Sequence, residues 1–146
     1  MIKKIIISVF CLSLIFVASE WFRRNVGGFA GSYPFAESWK INKSIAEIEG
    51  NLKLLLQKSP DVFLDKEEFK LANDATGFWK IVNFYYPERE EIVKVLFRGF
   101  DNYSQVLLVS FQNISTGEIR LMNKDFNWFE NRKEKKIFES RIVESL

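Results

Sequence analysis

The side chains whose spacing most suggests chemistry are carboxylates, at Glu67-Glu68 and at Glu88, Glu90 and Glu91. General acid–base work by two carboxylates requires them to flank a substrate, with pKa values driven apart by burial. Both groups fall in stretches read as loop and turn, where water keeps a carboxylate ordinary, so solvated charge is the expectation. Asn123, Asp125 and Asn127 have the alternation of a calcium loop. They lack its glycine and its distal bidentate glutamate, and helix capping is the expected role. The 146 residues include no histidine and one cysteine, Cys11. Ser-His-Asp and Cys-His nucleophiles, the usual zinc sites, thiol redox chemistry and disulfides are thereby removed. No catalytic, cofactor-binding or metal-ligating residue is assigned.

Cys11 lies in an apolar run over residues 5–18, preceded by Lys3-Lys4 and followed by Ser19-Glu20, Trp21-Phe22 and Arg23-Arg24. Phe10 is too bulky for a lipidated-cysteine signal, so the thiol is expected to act as a small hydrophobe. A basic start and an apolar stretch drive this segment into a membrane. Val17-Ala18-Ser19 is a mediocre cleavage site, whereas Trp21 and Phe22 suit the interface and the arginines can snorkel to phosphates. The expectation is a retained single-pass anchor in a bacterial inner membrane, with membrane contact through residues 3–24. A secreted or periplasmic protein freed by signal cleavage is the alternative. The basic pairs balance, and the short N-terminal tail places the long domain outside the cytoplasm.

Without Lys3, Lys4, Glu20, Arg23 and Arg24, 17 basic and 18 acidic residues remain, a net charge of −1. Nucleic acid, which calls for a basic patch, is not an expected partner. With no disulfide available, the outer domain must be held by its core, and the 16% aromatic content, including 15 Phe, supplies large apolar area.

The expected organisation is a membrane segment over 1–24, a stalk over 25–36 and one α+β domain over 37–146. Gly27, Gly28 and Gly31 loosen the stalk and Pro34 stops any helix, while Phe29, Tyr33 and Phe35 are expected to dock on the domain or the membrane interface. Residues 38–41 suit an edge strand. Ser44 with Glu47 forms a capping box opening a helix whose stripe is Ile45, Ile48, Leu52, Leu55 and Leu56, ended by Ser59-Pro60. Strands are expected over 78–86, 91–100, 105–113 and 118–122, joined by short turns into an antiparallel meander. Asn127 and Glu130 open a second helix, with Ile137, Phe138, Ile142 and Leu146 inward. Arg132, Lys133, Glu134, Lys135 and Lys136 form its charged face, expected to be solvated, with membrane headgroup binding as the alternative. The fold class is α+β, with two amphipathic helices on one face of a roughly four-stranded sheet in the order α-β-β-β-β-α.

The strand period of two assigns Val93, Val95, Phe97, Leu107, Val109 and Phe111 to the helix-covered face. The reverse face then carries Trp79, Ile81, Asn83, Tyr85, Ile92, Lys94, Leu96 and Arg98, with Val106, Leu108, Ser110 and Gln112. Apolar area dotted with cations and amides resembles a recognition surface, and Trp79, Asn83, Tyr85, Lys94 and Arg98 are its candidate partner-binding residues. The competing reading is that a loop, the stalk aromatics or strand curvature covers this face.

Residues 30–35 (Ala-Gly-Ser-Tyr-Pro-Phe), 83–87 (Asn-Phe-Tyr-Tyr-Pro), 123–126 (Asn-Lys-Asp-Phe), Glu130-Asn131 and 138–142 (Phe-Glu-Ser-Arg-Ile) resemble a family of small membrane-anchored bacterial extracytoplasmic proteins of unknown function. The resemblance implies no activity or ligand. The functional expectation is a non-enzymatic binding or accessory domain of the bacterial envelope, contacting an envelope protein and needing no cofactor. A toxin-neutralising immunity protein and a carboxylate-dependent envelope hydrolase are the alternatives.

Overall fold

In a computed structural model, which describes residues 2–27, 32–59, 62, 72–74 and 76–146, helix α1 (Ile2–Asn25) has no buried residue and is long and apolar enough to cross a membrane. Gly27 ends it at φ +75°, a left-handed conformation that a side chain resists. A Cβ there would also overlap the Pro34 carbonyl. Glu67-Glu68 and Phe29 lie outside the described residues.

The domain is α+β, built on one antiparallel sheet. Its strands are β1 (Glu37–Ile41), β2 (Ala72–Asn73), β3 (Lys80–Tyr86), β4 (Glu91–Gly99), β5 (Ser104–Asn113) and β6 (Ile119–Leu121). They lie in the order β1-β5-β4-β3-β2, with β6 also paired to β5. The expected four strands are all present. The expected layout is corrected by β1, which precedes the first domain helix and takes the edge beside β5, and by the two-residue β2 beside β3. β1 and β6 share one edge of β5 end to end: β1 pairs with residues 104–108 and β6 with residues 110–112.

Helix α2 (Ile45–Lys58) starts at the expected box, with the Glu47 N–H donating to Ser44 Oγ and the Ser44 N–H donating to Glu47 Oε2. Helix α3 (Trp128–Arg141) starts likewise. Asn127 Oδ1 accepts from the Phe129 and Glu130 N–H groups, and Glu130 Oε2 accepts from the Asn127 N–H. Both helices cover the same sheet face. Ile48 and Leu52 of α2 and Phe138 of α3, with Ile142 and Leu146 beyond it, enclose Val82, Phe84, Val93, Val95, Phe97 and Phe111. At Gly99 a Cβ would stand 2.9 Å from Ile45 Cβ, so the end of β4 passes close under the start of α2.

The phase of β5 is corrected by a bulge. Lys94 pairs with Ser110 and Val95 with Leu108, leaving Val109 without a register partner. An extra residue resets the alternation. Val106 and Leu108 therefore join Phe111 in the helix-side core, while Leu107 and Val109 fall in a second cluster on the reverse face. The bulge sits where β6 gives way to β1, and the Val109 carbonyl accepts from the Met122 N–H at 3.0 Å.

Phe97→Ala or Phe111→Ala is expected to destabilise the chain by roughly 3–5 kcal/mol, the range for truncating a buried aromatic. Ile119→Ala, at an exposed position, is expected to stay within about 0.5 kcal/mol. Denaturant titration of the full chain in detergent measures all three.

Candidate functional site

The reverse sheet face divides into a covered half and an open half. In the covered half Trp79, Leu96, Leu107, Val109 and Ala36 are buried together, with Tyr33 and Ile81 packed against them. Trp79 is only 6% exposed and meets Tyr33 edge-on at 6.2 Å. Asp74 fastens this corner, accepting hydrogen bonds from the Thr76 hydroxyl, the Trp79 N–H and the Tyr33 hydroxyl. Burial alone would raise the Asp74 pKa, but those bonds hold it below its usual value. The Arg98 guanidinium lies over the rings of Phe100, Phe78 and Trp79 at 4.9, 5.5 and 5.8 Å. Two of the five candidates are thus engaged within the fold itself.

The other three lie together in the open half. Asn83 and Lys94 are direct cross-strand partners, as are Tyr85 and Ile92, and β5 extends the surface through Ser110 opposite Lys94 and Gln112 opposite Ile92. Asn83, Tyr85, Ile92, Lys94 and Gln112 are all half-buried, on the three central strands of the sheet. This is a rigid surface of mixed polarity, suited to hydrogen bonding and aromatic contact.

Glu88 and Glu90 are exposed, as expected of solvated charge, but two other carboxylates depart from that expectation. Glu91 is 7% exposed and Glu134 is 6% exposed, and both face Arg89. Arg89 Nη1 donates to Glu134 Oε1 at 2.7 Å, and its Nε lies 3.1 Å from Glu91 Oε2 without hydrogen-bond geometry. Arg120 reaches Glu91 Oε1 at 3.3 Å, and Arg141 pairs with Glu88. Glu91 is the first residue of the core-facing register of β4, in phase with Val93, Val95 and Phe97. Glu134 lies on the Asn131–Phe138 stripe of α3.

Both carboxylates meet one guanidinium beneath the surface, and their free oxygens are themselves buried, so neither opens to solvent. Burial alone would lower the Arg89 pKa, but the Glu134 hydrogen bond and the charges of Glu134 and Glu91 hold it above its usual value. The hydrogen bond from Arg141 holds Glu88 below its own. Under this cluster the Tyr86 hydroxyl is buried without a partner, and burial pushes its pKa up to about 12. Among the described residues no group of three or more Asp, Glu, His or Cys side chains is placed to hold a metal ion.

A third assembly, which sequence reasoning missed, joins α1 to the domain. Arg23 donates from Nε and Nη2 to Glu20, from Nη1 to the Asn123 carbonyl at 3.0 Å and from Nη2 to the Phe126 carbonyl at 2.8 Å. Arg24 Nε donates to the Lys124 carbonyl at 2.9 Å. Phe16, one stripe up the same helix face, meets Trp128 edge-on at 5.9 Å. The described part of residues 25–36 is likewise bound to the domain: the Phe35 carbonyl accepts from the Asn123 N–H, and Asn123 Nδ2 donates to the Ala36 carbonyl.

No protein-family model matches the chain, and no similar curated protein or solved structure is found. Function therefore rests on the geometry above.

Tyr86 gives a pH signature. Its folded-state pKa lies above the ordinary value near 10, so its stabilising contribution is full below pH 10 and is lost as pH rises to about 12. The expected loss over that interval is roughly 2–3 kcal/mol. Tyr86→Phe should remove this alkaline loss and leave neutral-pH stability equal or slightly higher, because it deletes a buried hydroxyl without a partner. Denaturation of both chains between pH 8 and 12, with tyrosinate absorbance read in parallel, tests it.

Proposed function

We propose that the chain is a single-pass, membrane-anchored binding or accessory domain of the bacterial envelope, with no catalysis of its own, and that it works outside the cytoplasm. The observation that carries this reading is the open half of the reverse sheet face, where Asn83, Tyr85 and Lys94 converge on paired strands of a rigid sheet. Tyr85 offers aromatic area at small entropic cost, Lys94 suits an acidic or carbonyl-rich partner, and Asn83 adds orientable hydrogen bonds, a mixture that recurs at interface centres. Trp79 and Arg98 support this surface from the covered half, through the second apolar cluster and the rings under the guanidinium. The arginine contacts between α1 and the domain support action close to a membrane. The family resemblance, with its small anchored proteins, agrees with this reading and adds no ligand. The enclosure of Glu91 and Glu134 around Arg89 speaks against the hydrolase alternative.

A photo-crosslinking amino acid at Tyr85, introduced in the full chain in cells, is expected to give one discrete adduct with an envelope protein. Lys94→Glu should abolish that adduct while the melting temperature stays within a few degrees. An adduct that survives Lys94→Glu, or none at positions 83 and 85, overturns the assignment of this face.

A further inference from the structure

The N-terminal turn of α3 carries two adjacent, exposed aromatic side chains. Phe129 is 76% exposed, and Trp128 is exposed while touching both Phe129 and Phe16 of α1. Their height relative to a bilayer follows from α1. Lys3 and Arg23 are about 30 Å apart along the helix axis, the thickness of a hydrocarbon core. If the basic pairs mark the two headgroup levels, Phe16 lies about 10 Å inward of Arg23. Trp128, in contact with Phe16, must lie inward with it. The domain is held at this height by the Arg23 bonds to the Asn123 and Phe126 carbonyls, which bracket the chain leading into Trp128.

Polar chemistry beside the aromatics matches a headgroup layer. Arg132 stacks on the Trp128 ring at 5.5 Å. Arg132, Lys135 and Lys136 line an open cleft of about 340 Å³ with Trp128, Asn131 and Glu139. Of these cations Lys135 is paired with Glu37 at 2.7 Å, while Arg132 and Lys136 are exposed. The nearby carboxylates have local duties, Glu130 in the α3 capping box, Asp125 on the Leu121 N–H and Glu139 on the Trp39 indole N–H. Aromatic rings at the acyl boundary with cations beside the phosphates is the arrangement of an interfacial membrane contact.

We propose that the N-terminal turn of α3 is a second membrane contact: Trp128 and Phe129 enter the leaflet at the C-terminal end of α1, and Arg132 and Lys136 bind the phosphates of its anionic lipids. The proposal rests on the reading of α1 as a membrane anchor. It makes the domain a wedge in the interface, with α1 and α3 as two points of a fixed attachment.

Full-length chains carrying Cys11→Ser and a single nitroxide-labelled cysteine, by Leu12→Cys, Phe129→Cys or Phe78→Cys, are reconstituted in phosphatidylethanolamine–phosphatidylglycerol vesicles. Phe78 is the control, exposed at the opposite edge of the sheet. Collision with oxygen and with a water-soluble nickel chelate reads depth. The expected result is a lipid-protected label at positions 12 and 129, the latter about 5–10 Å into the headgroup boundary, and a water-exposed label at 78. Arg132→Glu with Lys136→Glu should make the label at 129 shallower and abolish any difference between these vesicles and phosphatidylcholine ones. A protected label at 12 with a water-exposed label at 129 overturns the second contact and leaves the anchor standing. Water exposure at both 12 and 129 overturns the anchor and the contact together. A depth at 129 that ignores both the double substitution and phosphatidylglycerol overturns the phosphate role.

Discussion

The Arg23 guanidinium, with Arg24 beside it, ties the apolar helix to the folded domain. Arg23 spends its donors on Glu20 within α1 and on the carbonyls of Asn123 and Phe126 in the chain between β6 and α3. A planar, permanently charged fork is suited to satisfying several acceptors at once, and here the acceptors belong to two segments a hundred residues apart. Gly27 completes the junction, because its left-handed backbone turns the chain beneath Pro34, where a side chain would not fit. The domain is thereby attached at a defined place on its surface, beside the edge of β5 that β1 and β6 share.

That attachment orders the rest of the molecule. The bulge at Val109 lets one strand edge serve β6 and then β1, and it turns Leu107 and Val109 toward the reverse face. There they join Trp79, Ala36 and Tyr33 in a small second core, which fixes the segment arriving from α1 onto the sheet. The remaining part of the face, around Asn83, Tyr85 and Lys94, stays open on the central strands. At the far end of the helix-side core, Arg89, Glu91 and Glu134 close the layer over Tyr86. A buried ion cluster of this kind is weak evidence for added stability, since desolvation offsets much of the attraction. Its geometric role, fixing α3 against the β3–β4 turn, is the clearer one.

Local signals made much of this legible in the sequence. Both capping boxes, the α2 stripe, the core-facing residues of β4 and the edge strand expected at 38–41 follow from spacing and propensity. The features that did not follow have identifiable causes. The bulge has no local signature, because it comes from two strands sharing one edge. Glu91 and Glu134 were in phase with buried neighbours, so the periodicity did mark them as inward. Their charge argued the other way, and the arginine that decides the matter comes from a neighbouring turn. The bonds from Arg23 and Arg24 to the 123–126 chain join residues too distant in sequence for any pattern to link them, and a glycine-rich stretch between anchor and domain reads as a loose stalk.

The domain is fixed to the apolar N-terminal helix rather than tethered to it. Nitroxide labels at Trp21→Cys and Lys124→Cys, in a Cys11→Ser full-length chain reconstituted in vesicles, test this directly, because both positions line the cleft between α1 and the β6–α3 chain. A short interspin distance with a narrow distribution is expected, broadened when Arg23→Gln removes the bonds to Asn123 and Phe126. A broad distribution in the chain that retains Arg23 would contradict it.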